Sequence, residues 1–374
     1  MRMRTSLTIL LAVVIPSLWL TSGTQARVIT AAPAGPAATW GTFGPVTFGD
    51  MAFSPNGTLF VSDCGNARIY RVNRTGGVSV FAGSGPGGFR NGFSGDGGPA
   101  IDARFGCPYG LAFDTRGNLY VADHLNNRIR KIDTHGIVTT VVGSGRWTPG
   151  NGFAKGDEGK LATQASLHDP VGISFDAAGN MYIADRDHSA IRKVDTNGTI
   201  TTVAGTGKVG YSGDGAAATM AELNRPLEVA PVGGSLYFVD EENARLRKVD
   251  SSGIITTIAG TGEMGCSGNG GPATLAAVQN PNSLQFGPEG AIYITEGECH
   301  QVRKIEHDGT IRPLVGTGQE GCSGFNGPAL AVQFTDPEEL RFGPDGSLFV
   351  ADQVCDVILR IDATRTSHLY AAAP

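Results

Sequence analysis

The stretch "YGLAFDTRGNLYVADHLNNRIRKIDTHGIVTTVVGSG", residues 109–145, decides the fold. Its short apolar runs alternate with turns such as "TRGN" and "THG", whose Gly and Asn suit tight hairpins. The runs "GLAFD", "NLYVAD", "RIRKID" and "IVTTVVG" predict four short strands, and "NLYVAD" shows the period of two that is typical of a strand. The stretch is therefore one four-stranded unit.

The same unit recurs along the chain. Further copies start at Val171, Leu227 and Asn282, with a first copy at Gly49 and a last one at Glu338. The acid that ends the second strand falls at Asp63, Asp123, Asp185, Asp240, Glu296 and Asp352. Since one four-stranded sheet cannot bury both of its faces, the repeat predicts an all-β fold, a six-bladed β-propeller of four-stranded antiparallel blades. We expect a single domain over residues 27–374, whose last outer strand is either "SHLYAAA" near the C-terminus or "RVITAAP" from residue 27.

Residues 1–26 have the pattern of a signal peptide. Arg2 and Arg4 precede an apolar run at residues 7–20, and small residues flank the end of the segment. We expect cleavage after Ala26 and a secreted protein without a membrane span, a retained membrane anchor being the alternative. Cleavage removes two arginines and no acid, so the net charge of -6 becomes -8. This balance argues against nucleic acid as a partner, because phosphate binding needs a basic surface.

The repeats resemble the NHL-repeat family, whose units read roughly "P-x-G-I-A-x-D-x-x-G-N-x-Y-V-A-D-x-x-N-x-R-I". The stretches "GLAFDTRGNLYVADHLNNRI" and "GISFDAAGNMYIADRDHSAI" carry this pattern. Inserts with "SGDGGPA" are similar to those of bacterial secreted NHL proteins and of the teneurin propeller. The resemblance implies the propeller fold but no particular activity, because propellers host many functions.

The "SGDGGPA" loop, residues 94–100, joins the outer strand of one blade to the inner strand of the next. It returns in changed form after Gly152, Gly210, Gly265 and Gly321. A single phosphate site would need one copy, so we interpret the loop as an inter-blade joint rather than a metal or anion loop. We expect Asp96, Asp157 and Asp214 to cap the turn through its own backbone, which Phe325 at the matching position cannot do.

Six cysteines in an exported chain predict disulfides. In an up-and-down blade the second-to-third turn and the joint share one face of the disc, so all six cysteines fall on that face, the expected working surface. We expect each bridge to stabilise the fold by about 2–4 kcal/mol. The expected pairs are Cys64–Cys107, Cys266–Cys299 and Cys322–Cys355, with Cys299–Cys322 as the alternative partner choice.

The acid repeated at the end of each second strand is interpreted as structural. An arginine follows five residues later at Arg68, Arg128 and Arg245. This spacing predicts an ion pair within the turn, or a carboxylate that caps backbone N–H groups. Function would enter where a blade departs from the rule, as at Glu296.

The first residues of the inner strands surround the mouth of the central channel. The polar ones are Asp50, Glu228, Asn282, Glu338 and Glu339. Their oxygen atoms suit Ca²⁺ or Mg²⁺, and such an ion would polarise a carbonyl or activate water. In the related gluconolactonase-like hydrolases, Glu, Asn and Asp at this position hold a metal, and Asn282 and Glu338 match that pattern. Asp50 and Glu228 lie one residue further along their strands than the position that Asn282 and Glu338 occupy. The resemblance thus implies a metal site of these four residues, the alternative being solvated side chains of a non-catalytic propeller.

The leading hypothesis for function is a binding scaffold. It would be a monomer that engages an extracellular protein or glycan through its loop-rich face. The alternative is a metal-dependent, lactonase-like hydrolase or lyase that acts on a small molecule at the channel mouth. No cofactor is certain from the sequence; Ca²⁺ or Mg²⁺ is the candidate ion. The candidate ligand-binding residues are Tyr109, His168, Asn282 and Glu296, and the candidate catalytic residues are Glu228, Glu339 and His168.

Overall fold

The predicted six sheets are present in the protein. The structure is a computed structural model, and it describes residues 38–39, 46–73, 77–85, 92–146 and 157–372. Each blade is a four-stranded antiparallel sheet in chain order. The strands of the first three blades are Phe48–Phe53, Leu59–Asp63, Arg68–Val72 and Val78–Ala82; Pro108–Phe113, Leu119–Asp123, Arg128–Ile132 and Val138–Val142; and Pro170–Phe175, Met181–Asp185, Ala190–Val194 and Ile200–Ala204. Those of the last three are Pro226–Val232, Ser235–Asp240, Arg245–Val249 and Ile255–Ala259; Pro281–Phe286, Ile292–Glu296, Gln301–Ile305 and Ile311–Val315; and Pro337–Phe342, Leu348–Asp352, Val357–Ile361 and Ser367–Ala372.

The blades close into a ring around the first strands. Each first strand contacts that of the next blade, and the first strand of the sixth blade contacts that of the first. Aromatic rings reinforce the junctions: Phe60 meets Phe113 across the first junction at 5.1 Å, and Phe349 meets Phe53 at 4.9 Å where the ring closes. The apolar faces that a single sheet would leave exposed are thus covered by the neighbouring blades.

The C-terminal segment supplies the outer strand of the sixth blade, at Ser367–Ala372. A short strand, Ala38–Thr39, pairs parallel to it on its outer side. The segment "RVITAAP" and the expected signal peptide, residues 1–26, lie outside the described residues. Within the described part of the chain, no helix is long and apolar enough to cross a membrane.

Helical structure in the described residues consists of short 3-10 turns. Those in the joints are Ala100–Asp102, Ala162–Gln164, Ala218–Met220, Ala273–Leu275 and Ala329–Ala331. Those in second-to-third turns are His124–Asn126, Arg186–His188, Glu241–Asn243 and Gly297–Cys299.

Each joint runs along the outer edge of the blade that it enters. In the second blade the N–H of Ala100 donates to the carbonyl of Gly136, in the third-to-fourth turn, at 2.8 Å. That turn lies at the opposite end of the strands from the second-to-third turn. Only the two ends of a joint therefore lie beside the second-to-third turns, on what we call the loop-rich face, and the expectation that the whole joint shares this face is corrected.

Candidate functional site

The repeated acid fastens each joint to the blade that it enters. The Asp123 carboxylate accepts a hydrogen bond from the N–H of Gly106, near the end of the joint, at 2.7 Å, and lies 3.2 Å from the guanidinium of Arg130. Both side chains of this ion pair are fully buried. The arrangement repeats in the pairs Asp185–Arg192, Asp240–Arg247 and Glu296–Arg303. Glu296, a candidate ligand-binding residue, is thus enclosed within its own blade.

The arginine five residues after the acid has a different partner from the one expected. Arg128 donates to the carbonyls of Asn126 and Ser144, at 2.8 and 3.0 Å, and its guanidinium covers the ring of Phe93 at 3.9 Å. The acid pairs instead with the arginine seven residues on. The predicted ion pair within the turn is therefore wrong for Arg128, whereas the alternative, a carboxylate that caps a backbone N–H group, is confirmed.

The acid of the "SGDGGPA" loop binds the same buried arginine. Asp96 lies 2.7 Å from the Arg130 guanidinium and accepts a hydrogen bond from the Thr140 hydroxyl at 2.7 Å. Asp214 contacts Arg247 in the same way, at 3.0 Å. The expected cap on the loop's own turn is thus wrong for Asp96 and Asp214, because the arginine offers a stronger, charged donor.

The remaining joints keep this design with other residues. Asp157 does stay within its joint, where it accepts a hydrogen bond from the N–H of Ser166 at 2.9 Å, and Glu158 contacts Arg192 at 3.3 Å. In the sixth blade, Phe325 packs against an apolar cluster that includes Leu359, the counterpart of the arginine. These contacts are those of an inter-blade joint.

Three disulfides lock the ends of three joints, with the pairing that the sequence predicted. They are Cys64–Cys107, Cys266–Cys299 and Cys322–Cys355. In the fourth blade, Asn243 occupies the position of Cys299 and donates to the carbonyl of Gly210 at 2.8 Å. A hydrogen-bonded Asn and a disulfide thus serve as alternative locks at one place in the repeat.

An arginine that sequence reasoning missed occupies the channel axis. The guanidinium of Arg341 lies 2.6 Å from Asp50, 3.3 Å from Glu228 and 3.2 Å from Glu339. Burial raises the pKa of Glu228 to about 7 and that of Glu339 well above its ordinary value, while the three acids raise the pKa of Arg341. The signal was present in the sequence, since the other five blades carry Ala, Ser or Gln where the sixth carries Arg341.

The axial residues do not fit a divalent cation. The Arg341 guanidinium contacts the Asp50 and Glu228 oxygens that would bind the ion, and a second positive charge there would be repelled. Asn282 lines the same cavity, whose volume of about 10 Å³ is close to the least that one water molecule needs. Glu338 lies elsewhere, so the four expected metal ligands are divided between two places.

Glu338 faces a pocket at the mouth of the channel. The pocket has a volume of about 260 Å³ and is lined in part by Tyr109, His124, Glu338 and Gln353. The Tyr109 hydroxyl lies 3.2 Å from the Glu338 carboxylate. Burial, together with the negative charge of nearby Asp336, raises the pKa of Glu338 to about 8, so this carboxyl group is largely protonated at neutral pH.

The second-to-third turns complete the mouth with residues that the sequence reasoning did not single out. Arg186 forms an ion pair with Glu241 at 3.2 Å, and its charge acts on both Tyr109 and Glu338. Arg186, Glu241 and Gln353 each directly follow the repeated acid, at a position that differs in every blade. The variation at this position, directly after an acid that every blade keeps, was the sequence signal that could have pointed to these mouth residues. His168, expected near the mouth, lies 3.9 Å from Asp187 in the turn of its own blade.

The described residues also line a cleft on the opposite face. It has a volume of about 420 Å³, lies between the first two blades and is lined by hairpin-turn residues such as Asn56 and Arg116. Its floor includes Phe60 and Phe113, which belong to the aromatic junction between those blades. The mouth pocket is the stronger candidate because it combines convergent polar groups with a perturbed carboxyl group.

Comparison with known proteins agrees with the repeat. Two overlapping segments, residues 51–154 and 145–211, match the Teneurin NHL domain family. The protein is a six-bladed propeller whose repeats are similar to NHL repeats. Teneurin-3 of Mus musculus is 28% identical to this chain over 291 residues, which cover 69% of the chain and 10% of the relative. Protein SUPPRESSOR OF QUENCHING 1, chloroplastic, of Arabidopsis thaliana is 27% identical over 324 residues, 83% of the chain and 30% of the relative. The chain thus spans less than a third of the length of these relatives.

Solved structures share the six-bladed fold of this chain. An auxiliary nutrient binding protein from Bacteroides thetaiotaomicron superimposes with a TM-score of 0.57 at 13% identity, over 83% of this chain and 67% of that one. A gluconolactonase from Xanthomonas campestris does so with a TM-score of 0.52 at 14% identity, over 82% and 84%. At these identities the likeness concerns the fold alone.

Proposed function

We propose that the protein is an exported binding module whose loop-rich face engages an extracellular glycan or glycosylated protein, with a hydroxyl-rich group in the mouth pocket. The observation that carries this proposal is a set of hydrogen-bonding groups, Tyr109, Glu338 and Gln353, that line the pocket beside apolar side chains such as Phe48 and Leu125. Glu338 is largely protonated, and the charge of Arg186, which acts on Glu338, is balanced by Glu241. The Glu338 carboxyl, the Tyr109 hydroxyl and the Gln353 amide donate and accept hydrogen bonds as sugar hydroxyls require.

Export is supported by the three disulfides, because such bonds persist in oxidising compartments. The proposal predicts that the protein recovered from outside the cytoplasm begins at Arg27. N-terminal sequencing that instead found residues 1–26 intact would contradict cleavage after Ala26.

A hydrolase or lyase acting on a small ester or lactone is the second candidate function. One observation favours it: a carboxyl group that stays protonated at pH 7, as Glu338 does, can act as a general acid. The metal that this candidate was expected to use would need ligands other than the Asp50, Glu228, Asn282 and Glu338 set, because Arg341 holds the first two.

A glycan array probed with the purified mature protein tests the leading proposal. We expect selective binding that isothermal titration calorimetry reproduces and that falls at least about tenfold in Tyr109→Phe and Glu338→Ala, since lost hydrogen bonds leave polar groups unpaired. The matched control is Tyr182→Phe, which also removes a hydroxyl bonded to an acid, Asp176 at 3.2 Å, but at the hairpin on the opposite face.

Two results would overturn the proposal. Glycan binding that Tyr109→Phe and Glu338→Ala leave unchanged would place the ligand elsewhere on the molecule. No glycan binding, combined with lactone hydrolysis that Glu338→Gln abolishes, would favour the enzyme.

A further inference from the structure

Four side chains of metal-ligating type meet between the second and third blades, on the loop-rich face. His168 and Asp169 end the joint that enters the third blade, Asp187 lies in the second-to-third turn of that blade, and His124 lies in the corresponding turn of the second blade. His168, Asp169 and Asp187 each offer one ligand atom, and these three atoms lie within 4.8 Å of one another. The His124 Nε2 atom lies 4.0 Å from Oδ2 of Asp169.

The fold itself brings these positions together. Asp169 and Cys107 occupy the same place in successive joints: each directly precedes the proline of an inner strand, with φ of 50° and 55°. His124 and Cys64 likewise both directly follow the repeated acid. The Cys64–Cys107 disulfide shows that side chains at these two positions come within bonding distance. The facing of His124 and Asp169 is therefore a property of the repeat rather than of one side-chain rotamer.

A contact outside the cluster orients His124 for metal binding. Its Nδ1 atom lies 3.4 Å from the carbonyl oxygen of Pro170, so that Nδ1 carries the proton and Nε2 presents its lone pair toward Asp169. A backbone carbonyl on the far nitrogen is the usual support of a metal-bound histidine.

The equivalent place in the fourth blade carries its own cation. There Arg225 stands where the third blade has Asp169, and it lies 3.7 Å from Glu242, the counterpart of Asp187. The third blade instead brings two carboxylates and two imidazoles together; the Arg225 side chain lies 3.6 Å from Oδ1 of Asp187, whereas His168 lies 3.9 Å from Oδ2.

We infer that His124, His168, Asp169 and Asp187 bind one divalent transition-metal ion, Zn²⁺ being the best match, and that this ion links the second and third blades as the Cys64–Cys107 disulfide links the first and second. Two imidazole nitrogens and two carboxylate oxygens are a donor set that Zn²⁺ accepts in tetrahedral geometry. Bonds of about 2.0–2.2 Å place tetrahedral donors roughly 3.3–3.6 Å apart. The donor atoms of His168, Asp169 and Asp187 lie within 4.8 Å of one another, so binding of the ion would draw these side chains together. The side chains are 12–29% exposed, which leaves them room to rotate and leaves the ion a path from solvent.

Zinc binding by the full-length, tag-free protein tests this inference. The protein is treated with EDTA, desalted without reductant so that the disulfides persist, and titrated with ZnCl₂ by calorimetry; metal analysis after desalting gives the stoichiometry. We expect one Zn²⁺ per chain and a melting temperature that rises with Zn²⁺ concentration, because the ion binds only the folded state.

Three variants sharpen the test. His168→Gln introduces the residue that the fifth blade carries naturally at this position, Gln279, so the fold tolerates it. We expect His168→Gln and Asp187→Asn each to weaken Zn²⁺ binding at least about 100-fold, since even supporting residues of metal sites contribute 10–100-fold. Glu242→Gln, the matched change in the fourth blade, should leave the affinity and the Zn²⁺-dependent rise in melting temperature unchanged.

The inference would be overturned by the absence of stoichiometric Zn²⁺ binding in the unmodified protein. It would equally be overturned by full affinity in both His168→Gln and Asp187→Asn, or by an equal loss in Glu242→Gln. If Asp187→Asn folds poorly because its contact with Arg225 is also lost, His168→Gln alone decides the outcome.

Discussion

Replacing Arg247 tests whether the buried ion pairs hold the joints in place. Its guanidinium lies 3.0 Å from Asp240, 3.0 Å from Asp214 and 3.0 Å from the carbonyl of Ser212, and the Arg247 and Asp240 side chains are fully buried. Arg247→Leu would leave the Asp240 carboxylate buried without its cation. Breaking a buried pair from one side costs about 3–5 kcal/mol in the free energy of unfolding.

The loss is measurable by thermal unfolding. At roughly 2 cal/mol/K of unfolding entropy per residue, a loss of ~4 kcal/mol lowers the melting temperature of a chain of this size by ~6 °C. Lys248→Leu, at the next residue on the same strand, changes a partly exposed charge and should cost less than about 1 kcal/mol.

The sixth blade indicates how the loss can be recovered. It carries Leu359 in place of the arginine and Phe325 at the joint position equivalent to Asp214, and the two belong to one apolar cluster. The double variant Arg247→Leu/Asp214→Phe should therefore regain part of the stability that Arg247→Leu loses. A single variant that costs under 1 kcal/mol, or a double variant no better than the sum of its two single changes, would refute the reasoning.

Two further predictions follow from the mouth and from the locks. The pKa of Glu338 is raised in the folded protein to about 8, so the stability contributed by its neutral form is complete below about pH 4.5 and is lost as the pH rises through 8. Glu338→Gln, which stays neutral, should flatten the fall of melting temperature between pH 5 and 8.5. Parallel curves of melting temperature against pH for the unchanged protein and the variant would contradict the assignment. The double variant Tyr211→Cys/Asn243→Cys copies the Cys266–Cys299 lock into the fourth blade and should form a disulfide. Mass spectrometry under non-reducing conditions should then show two fewer free thiols than the same variant has without this bridge. Two persistent free thiols would show that the joints are not equivalent.

The sequence predicts the blades and the disulfides well because both depend on equivalence between repeats. Once the acids at Asp123 and Asp185 align, each turn and the two ends of each joint fall at a known place on the disc, and so do the cysteines. Cys266–Cys299 and Cys322–Cys355 have the same separation of 33 residues, as expected of one lock used twice.

The candidate site is less predictable because the inner strands are irregular where they begin. In every blade the register between the first and second strands shifts just after the first residue. The adjacent side chains of Glu338 and Glu339 reach different places, the mouth pocket and the axial Arg341, as successive side chains of a strand do. Position along a repeat fixes which end of the strand a residue occupies, but not which neighbour its side chain contacts.

At the mouth, a structural position and a variable position are adjacent in the sequence. The acid that ends each second strand is Asp or Glu in every blade and holds the joint that enters blades two to six, whereas the residue after it begins the second-to-third turn and differs from blade to blade. Those variable residues are Cys64, His124, Arg186, Glu241, Gly297 and Gln353. Because the neighbouring acid fixes the backbone, a change at a variable position that forms no disulfide alters the chemistry of the mouth at little cost to the fold, whereas a change of Cys64 would break its bridge to Cys107. A related propeller with the same acids but a different set at these six positions should therefore keep the fold and bind a different ligand.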